Sequence, residues 1–190
     1  MKTAEMNTLA DVLADELKDI YNAERQLVAA LPKMAKKAAS SQLKQAITNH
    51  LRETENHVSR LDKIGQNLGI KLSGKKCRAM EGLIEEGKEV LDTKGTGPVI
   101  DAALIGAAQR VEHYEMAAYG TARAMAEHLG HSDVAEILQE TLDEEGAADK
   151  KLTSIAEDEI LEAALNGRGR SQQEKELDVE REENEGRLAR

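Results

Sequence analysis

At 190 residues the chain is long enough for a domain with a substantial core, and its make-up is helical: no Trp or Phe, two prolines, and abundant Ala, Glu, Leu and Lys. A formal net charge of -10 argues against broad nucleic-acid binding, which needs a basic surface, and the single cysteine, Cys77, excludes an intramolecular disulfide or a cysteine-built zinc or iron–sulfur site. No run of about 18 uncharged apolar residues is present to span a membrane, and the N-terminal MKTAEMNTLADVLADELK carries acids inside any apolar stretch a signal peptide would need, so the expected compartment is the cytoplasm.

The first long helix is expected from about Thr8 to Lys37. Leu13, Leu17, Ile20, Leu27 and Leu31 repeat at steps of three and four, and Glu24 interrupts that stripe between Ile20 and Leu27. Pro32 falls within the pattern, where it kinks a helix or ends its regular part. Ser40-Ser41 then breaks the periodicity and offers an N-cap. The second helix is expected from about Gln42 to Leu68, with Leu43, Ile47, Thr54, Leu61, Ile64 and Leu68 facing inward. His50, Glu53 and His57 lie on or beside that stripe, and Gly69 is placed to cap the C-terminus.

Residues 69 to 98 are too long for a tight turn. Their middle, Met80 to Leu91, holds a short amphipathic helix, and the whole segment is suited to carry the chain back along a bundle. The third long helix begins after Gly97-Pro98 and runs to about His128. The fourth begins at His131-Ser132-Asp133, with Ser132 as the expected cap, and carries Val134, Leu138, Thr141, Glu145, Ala148, Leu152 and Ile155 on one stripe. A further helical stretch, Glu157 to Leu165, follows or continues it. From Asn166 the chain is almost wholly polar or charged, as expected of a disordered or loosely helical tail. The domain is therefore placed at 1–165 and the tail at 166–190.

The third helix carries the clearest anomaly. Ala108, Glu112, Glu115, Tyr119, Ala122 and Ala126 share one stripe, so two acids stand where a helical core normally has Leu or Ile. An unpaired buried carboxylate costs several kcal/mol, so such an acid must be protonated, paired or bound to a cation. Every long helix repeats the feature: Glu24 on the first, Glu53 on the second, Glu112 and Glu115 on the third, Glu145 on the fourth. In each hairpin the acids lie about 30 residues apart across the turn and meet at similar depth. Facing carboxylates in a helix-bundle core hold two iron or manganese ions, with histidine adding affinity for iron. The usual Glu-x-x-His spacing is absent. Asn56 takes the His position on the second helix and Ala148 on the fourth, where Asp149 is adjacent; the nearby histidines are His50 and His57.

Long strings of this sequence resemble the YciE/YciF-like ferritin-like stress proteins. They are ELKDIYNAERQLVAALPKMA (16–35), HLRETENHVSRL (50–61), KKCRAMEGLIEEG (75–87), DAALIGAAQRVEHYEMAAYGTARA (101–124) and LQETLDEEGAADKKL (138–152). The resemblance spans residues 8 to 165 and leaves the tail out. It implies an all-α, ferritin-like antiparallel four-helix bundle with a long crossover, a homodimer, a di-metal centre and a role in bacterial stress, with no settled activity. It carries the family's acids onto Glu24, Glu53, Glu112, Glu115 and Glu145.

The leading expectation is a stress protein with a di-iron or di-manganese centre that oxidises metal or removes peroxide, its small oxidant being oxygen or peroxide. Glu24, Glu53, Glu115 and Glu145 are the principal ligands, Glu112 a fifth carboxylate, and His50, His57 and Asp149 auxiliary. Glu144 reads as a surface residue and His113 as off the inner face. Tyr21, Tyr114 and Tyr119 read as packing residues that give a hydroxyl to a core acid, and Cys77 as an incidental thiol in the crossover. The rival expectation is a non-catalytic helical stress or interaction module whose inner acids are neutral or hydrogen-bonded. An iron-storage cage is less favoured, because nothing in the sequence marks its large assembly.

Overall fold

The computed structural model describes residues 6–166. Among them are five α-helices and no strand: α1 (Leu9–Lys37), α2 (Ser41–Leu68), α3 (Arg78–Asp92), α4 (Gly97–His128) and α5 (Ser132–Ile155). A π-helical turn, Ala156–Ile160, extends α5, and helical residues run on to 166. The stretch after residue 155 therefore continues the last helix. The expected tail lies, from residue 167 on, outside the described residues.

Local chemistry sets the helix ends. Thr8 caps α1 through a capping box: its hydroxyl accepts from the Asp11 backbone N–H, and the Asp11 carboxylate accepts from the Thr8 N–H. Pro32 lies inside α1, which runs on to Lys37. Ser40 caps α2 by accepting from the Leu43 N–H. At the other end Gly69 takes the left-handed conformation, φ 66°, and closes the helix. Cys77 caps α3 through its Sγ, which accepts from the Met80 N–H at 3.4 Å. The expected Ser132 cap is not formed. His131 occupies the N-cap position and makes no side-chain capping bond, so Ser132 is already the first helical residue.

The helices pack as two sequence-adjacent pairs, α1 with α2 and α4 with α5, joined by contacts of α1 with α4 and of α2 with α5. The short α3 lies across α1 and α4. Asp101 anchors the α1–α2 turn to the start of α4: its two carboxylate oxygens accept from the Ala39 N–H (2.9 Å) and the Ser40 N–H (2.7 Å). No helix among the described residues is long and apolar enough to cross a membrane.

The core is divided. One apolar cluster includes Leu27, Leu31, Leu43, Ile47, Leu104 and Leu152; the other includes Leu13, Leu17, Ile20, Leu61, Ile64 and Leu138. On every long helix the residues between the two clusters are polar. They are Glu24 on α1, His50, Thr54 and His57 on α2, Glu112 and Glu115 on α4, and Thr141 and Glu145 on α5, all buried. A polar layer thus crosses the middle of an otherwise apolar interior.

Candidate metal centre

Two groups of ligating atoms converge in that layer. His50, Glu112, Glu115 and Glu145 form one; Glu24, His57 and Glu145 form the other. Within each group the ligand atoms lie within 4.8 Å of one another, and Glu145 belongs to both. Glu24, His57 and Glu145 are 0% exposed. His57 Nδ1 stands 3.0 Å from Glu145 Oε1 and 3.3 Å from Glu24 Oε1, while His50 Nε2 stands 3.5 Å from Glu112 Oε1 and 3.7 Å from Glu145 Oε2.

These are close approaches without hydrogen-bond geometry. Glu24 Oε2, His50 Nε2, His57 Nδ1, Glu112 Oε2, both Glu115 oxygens and both Glu145 oxygens are buried with no hydrogen-bond partner. A protein interior rarely leaves such atoms unsatisfied, because each forfeits its hydration. Their convergence is the arrangement a cation satisfies. Hard carboxylate oxygens with one imidazole in each group suit iron or manganese. One oxygen is internally satisfied: Tyr119 donates its hydroxyl to Glu24 Oε1 at 2.5 Å.

Electrostatics follow from burial. Desolvation pushes Glu115 and Glu112 well above the usual carboxyl range, with Glu145 adding to the push on both. Burial also raises Glu24, against the opposing pull of His57. At Glu145 burial is outweighed by His57 and His50, and its carboxyl is held below the ordinary value. Desolvation of the two imidazoles is likewise outweighed. Glu112 and Glu53 lift His50 to about 9, and Glu145 and Glu24 lift His57 to about 10. Burial thus favours the protonated form of Glu112 and Glu115, while carboxylate neighbours favour the protonated form of both imidazoles.

The remaining predicted residues lie outside these groups. Glu53 points along the edge of α2 with 46% of its side chain exposed, its Oε2 at 3.4 Å from His50 Nδ1. The inner face of α2 is taken by His50, Thr54 and His57, which turns Glu53 outward. Asp149 accepts from Gln109 at 3.1 Å and approaches the exposed His113 at 3.3 Å, a bridge between α4 and α5 beside the layer. Tyr114 gives its hydroxyl to Asp19, at 2.7 Å, and contacts Cys77 Sγ at 3.0 Å.

Glu144, read from the sequence as a surface residue, is part of the surroundings of the site. Its Oε2 pairs with His57 Nε2 at 2.8 Å, and Arg60 donates to both of its oxygens. Its position next to Glu145 was the only sequence signal, since its partners lie on another helix. An open cavity of about 630 Å³ leads from exposed Gln42, Gln45 and Lys151 down to His50 and Glu112. It is large enough to admit a small molecule to the layer.

Residues 8–165 match a family described as a domain of unknown function, DUF892. The chain is 46% identical to Protein YciF of Escherichia coli K12 over 162 residues, which is 85% of this chain and 98% of the relative. The crystal structure of the E. coli stress protein YciF superposes with a TM-score of 0.78 at 47% identity, covering 80% of this chain and 96% of that one. YcfI from Rhodopseudomonas palustris gives 0.78 at 44% identity, covering 82% and 99%. A Xanthomonas campestris protein, 20% identical with a TM-score of 0.67 over 86% and 99%, shares the fold.

Proposed function

Because the chain belongs to the DUF892 family, with the E. coli stress protein YciF among its relatives, we propose that it is a ferritin-like four-helix-bundle stress protein built around a dinuclear metal centre. The observation that carries this reading is the set of unpartnered buried oxygens and nitrogens, drawn from all four long helices, that converge in two groups sharing Glu145. Glu24, His57 and Glu145 would hold one ion; His50, Glu112, Glu115 and Glu145 would hold the other. Bound iron or manganese would supply one-electron redox chemistry toward oxygen or hydrogen peroxide.

The chain's own residues do the rest. Glu145 balances charge for both positions. Tyr119 holds Glu24 in place through its hydroxyl. The two apolar clusters exclude water from either side. The cavity past His50 and Glu112 gives a small oxidant its approach. We place the protein in the bacterial cytoplasm as a homodimer.

A second reading has its own observation. His57 sits between Glu24 and Glu145, and these ion pairs partly neutralise the layer from within. That favours a non-catalytic helical stress module. Melting curves with and without iron, and again after chelation, separate the two. Each ion bound with a Kd one-hundredth of the free metal present adds about 3 kcal/mol, so a filled dinuclear centre adds about 5 kcal/mol, or roughly 10–20 °C at this chain length. Chelation removes that gain and abolishes peroxide consumption. Identical curves throughout favour the module.

A further inference from the structure

The two inner histidines present different nitrogens to the layer. His57 turns Nδ1 inward, and this atom has no hydrogen-bond partner; its Nε2 pairs outward with Glu144 at 2.8 Å. His50 does the reverse. Its Nε2 is inward and unpartnered, and its Nδ1 faces Glu53 Oε2 at 3.4 Å. Neither Glu53 nor Glu144 belongs to a ligand group.

We propose that Glu144 and Glu53 are positioning residues for the metal centre: each accepts the outer N–H of one histidine, so that His57 ligates through Nδ1 and His50 through Nε2. The inference rests on the dinuclear reading and extends it outward by one shell of residues. A carboxylate on the far nitrogen of a ligating imidazole fixes its tautomer and ring orientation and raises its basicity toward the metal.

The two supports are unequal. Glu144 is itself held: Arg60 donates Nη1 to Oε2 and Nη2 to Oε1, and reaches Glu140 with the same Nη2. A fork on both oxygens leaves Glu144 little freedom to turn away from His57. Glu53 is half exposed, makes the longer contact, and has no Lys or Arg paired with it among the described residues. The grip on His57 is therefore the firmer one. The network Glu140–Arg60–Glu144–His57 joins α2 to α5 and ends at the ligand groups.

The test uses the full chain labelled with ¹⁵N-histidine and loaded with zinc, a diamagnetic probe of the same ligands. Two-bond ¹H–¹⁵N correlation spectra read the tautomer of each ring directly. The expected result is His57 ligated at Nδ1 with its proton on Nε2, and His50 ligated at Nε2 with its proton on Nδ1. Glu144→Ala lowers zinc affinity about 10- to 100-fold. Glu144→Gln, which can still accept the Nε2–H bond, restores part of it. Glu53→Ala has the smaller effect. Glu140→Ala, which touches Arg60 but not His57, lowers affinity less than Glu144→Ala. Zinc bound through His57 Nε2, or held by Glu144→Ala as tightly as by the wild type, overturns the proposal while leaving the metal centre standing. If Glu144→Ala does not fold, the wild-type spectrum alone decides. A wild type that binds no zinc, iron or manganese overturns the dinuclear reading and this inference together.

Discussion

His57 Nδ1 lies 3.0 Å from Glu145 Oε1, both atoms fully buried and neither hydrogen-bonded. The contact joins α2 to α5 at the residue common to both ligand groups. Charge attraction holds the two side chains together without satisfying either, and this defines what the layer lacks. Glu145→Ala is accordingly expected to remove metal from both positions, whereas Glu24→Ala removes it from one. Isothermal titration with manganese distinguishes the cases by stoichiometry. Equal loss from both variants would contradict the sharing of Glu145.

Glu115 separates stability from function. Its carboxyl is fully buried, accepts no hydrogen bond, and is driven well above the usual range by burial. Glu115→Gln replaces a carboxyl that burial drives toward its protonated form by a neutral amide of the same shape. The metal-free protein is expected to keep its stability to within about 1 kcal/mol, while metal affinity falls at least tenfold. Chemical denaturation beside a metal titration checks both halves. A large loss of stability with affinity intact would mean that Glu115 serves packing.

Tyr119→Phe tests the hydrogen bond that Glu24 accepts within the layer. The hydroxyl is buried and donates to Glu24 Oε1. Removing it strands the acceptor, at a cost of about 1–3 kcal/mol. For a chain of this length that lowers the melting temperature by several degrees. Bound metal is expected to offset part of the loss, because Glu24 regains a partner.

Asp101 supplies the control away from the site. Its carboxylate holds the Ala39 and Ser40 N–H groups and lies at the start of α4, remote in sequence from the ligands on that helix. Asp101→Ala is expected to cost about 2–4 kcal/mol, from two charge-assisted hydrogen bonds and their stranded donors. Metal stoichiometry should not change.

Much of this layer is legible in the sequence, because helical periodicity reports burial directly. Glu24, Glu112, Glu115 and Glu145 interrupt apolar stripes at steps of three and four, and the structure buries all four. The stripe on α2 is less regular. His50, Thr54 and His57 fit it, and Glu53, one residue from Thr54, is rotated off by about 100°. Resemblance carries an acid onto Glu53, while the local geometry turns it outward. Glu144 is illegible for a different reason. Its partners, His57 and Arg60, stand 87 and 84 residues away, and no spacing along α5 reveals them. The Cys77 cap of α3 is likewise a matter of backbone geometry at a single residue.

The protonation pattern gives the metal-free protein a pH signature. Carboxylate neighbours raise His50 to about 9 and His57 to about 10, above their ordinary value of 6.5. A histidine raised in the folded state adds stability that is fully present below the unfolded value and is lost as pH climbs through the folded one. The raised carboxyls of Glu24, Glu112 and Glu115 act in the same direction, because the folded state again holds the proton more tightly. Denaturation midpoints of the metal-free protein should therefore fall between pH 7 and pH 10. Metal displaces these protons on binding, so the loaded protein should show a flatter profile and release protons on loading.

The most direct measurement is metal content per chain, by elemental analysis of protein purified without chelators, beside a Glu24→Ala/Glu145→Ala double variant. A dinuclear centre predicts about two iron or manganese ions per wild-type chain and none in the variant. A wild type that is metal-free, stays so after anaerobic loading with iron or manganese, and is no more stable than the variant would contradict it.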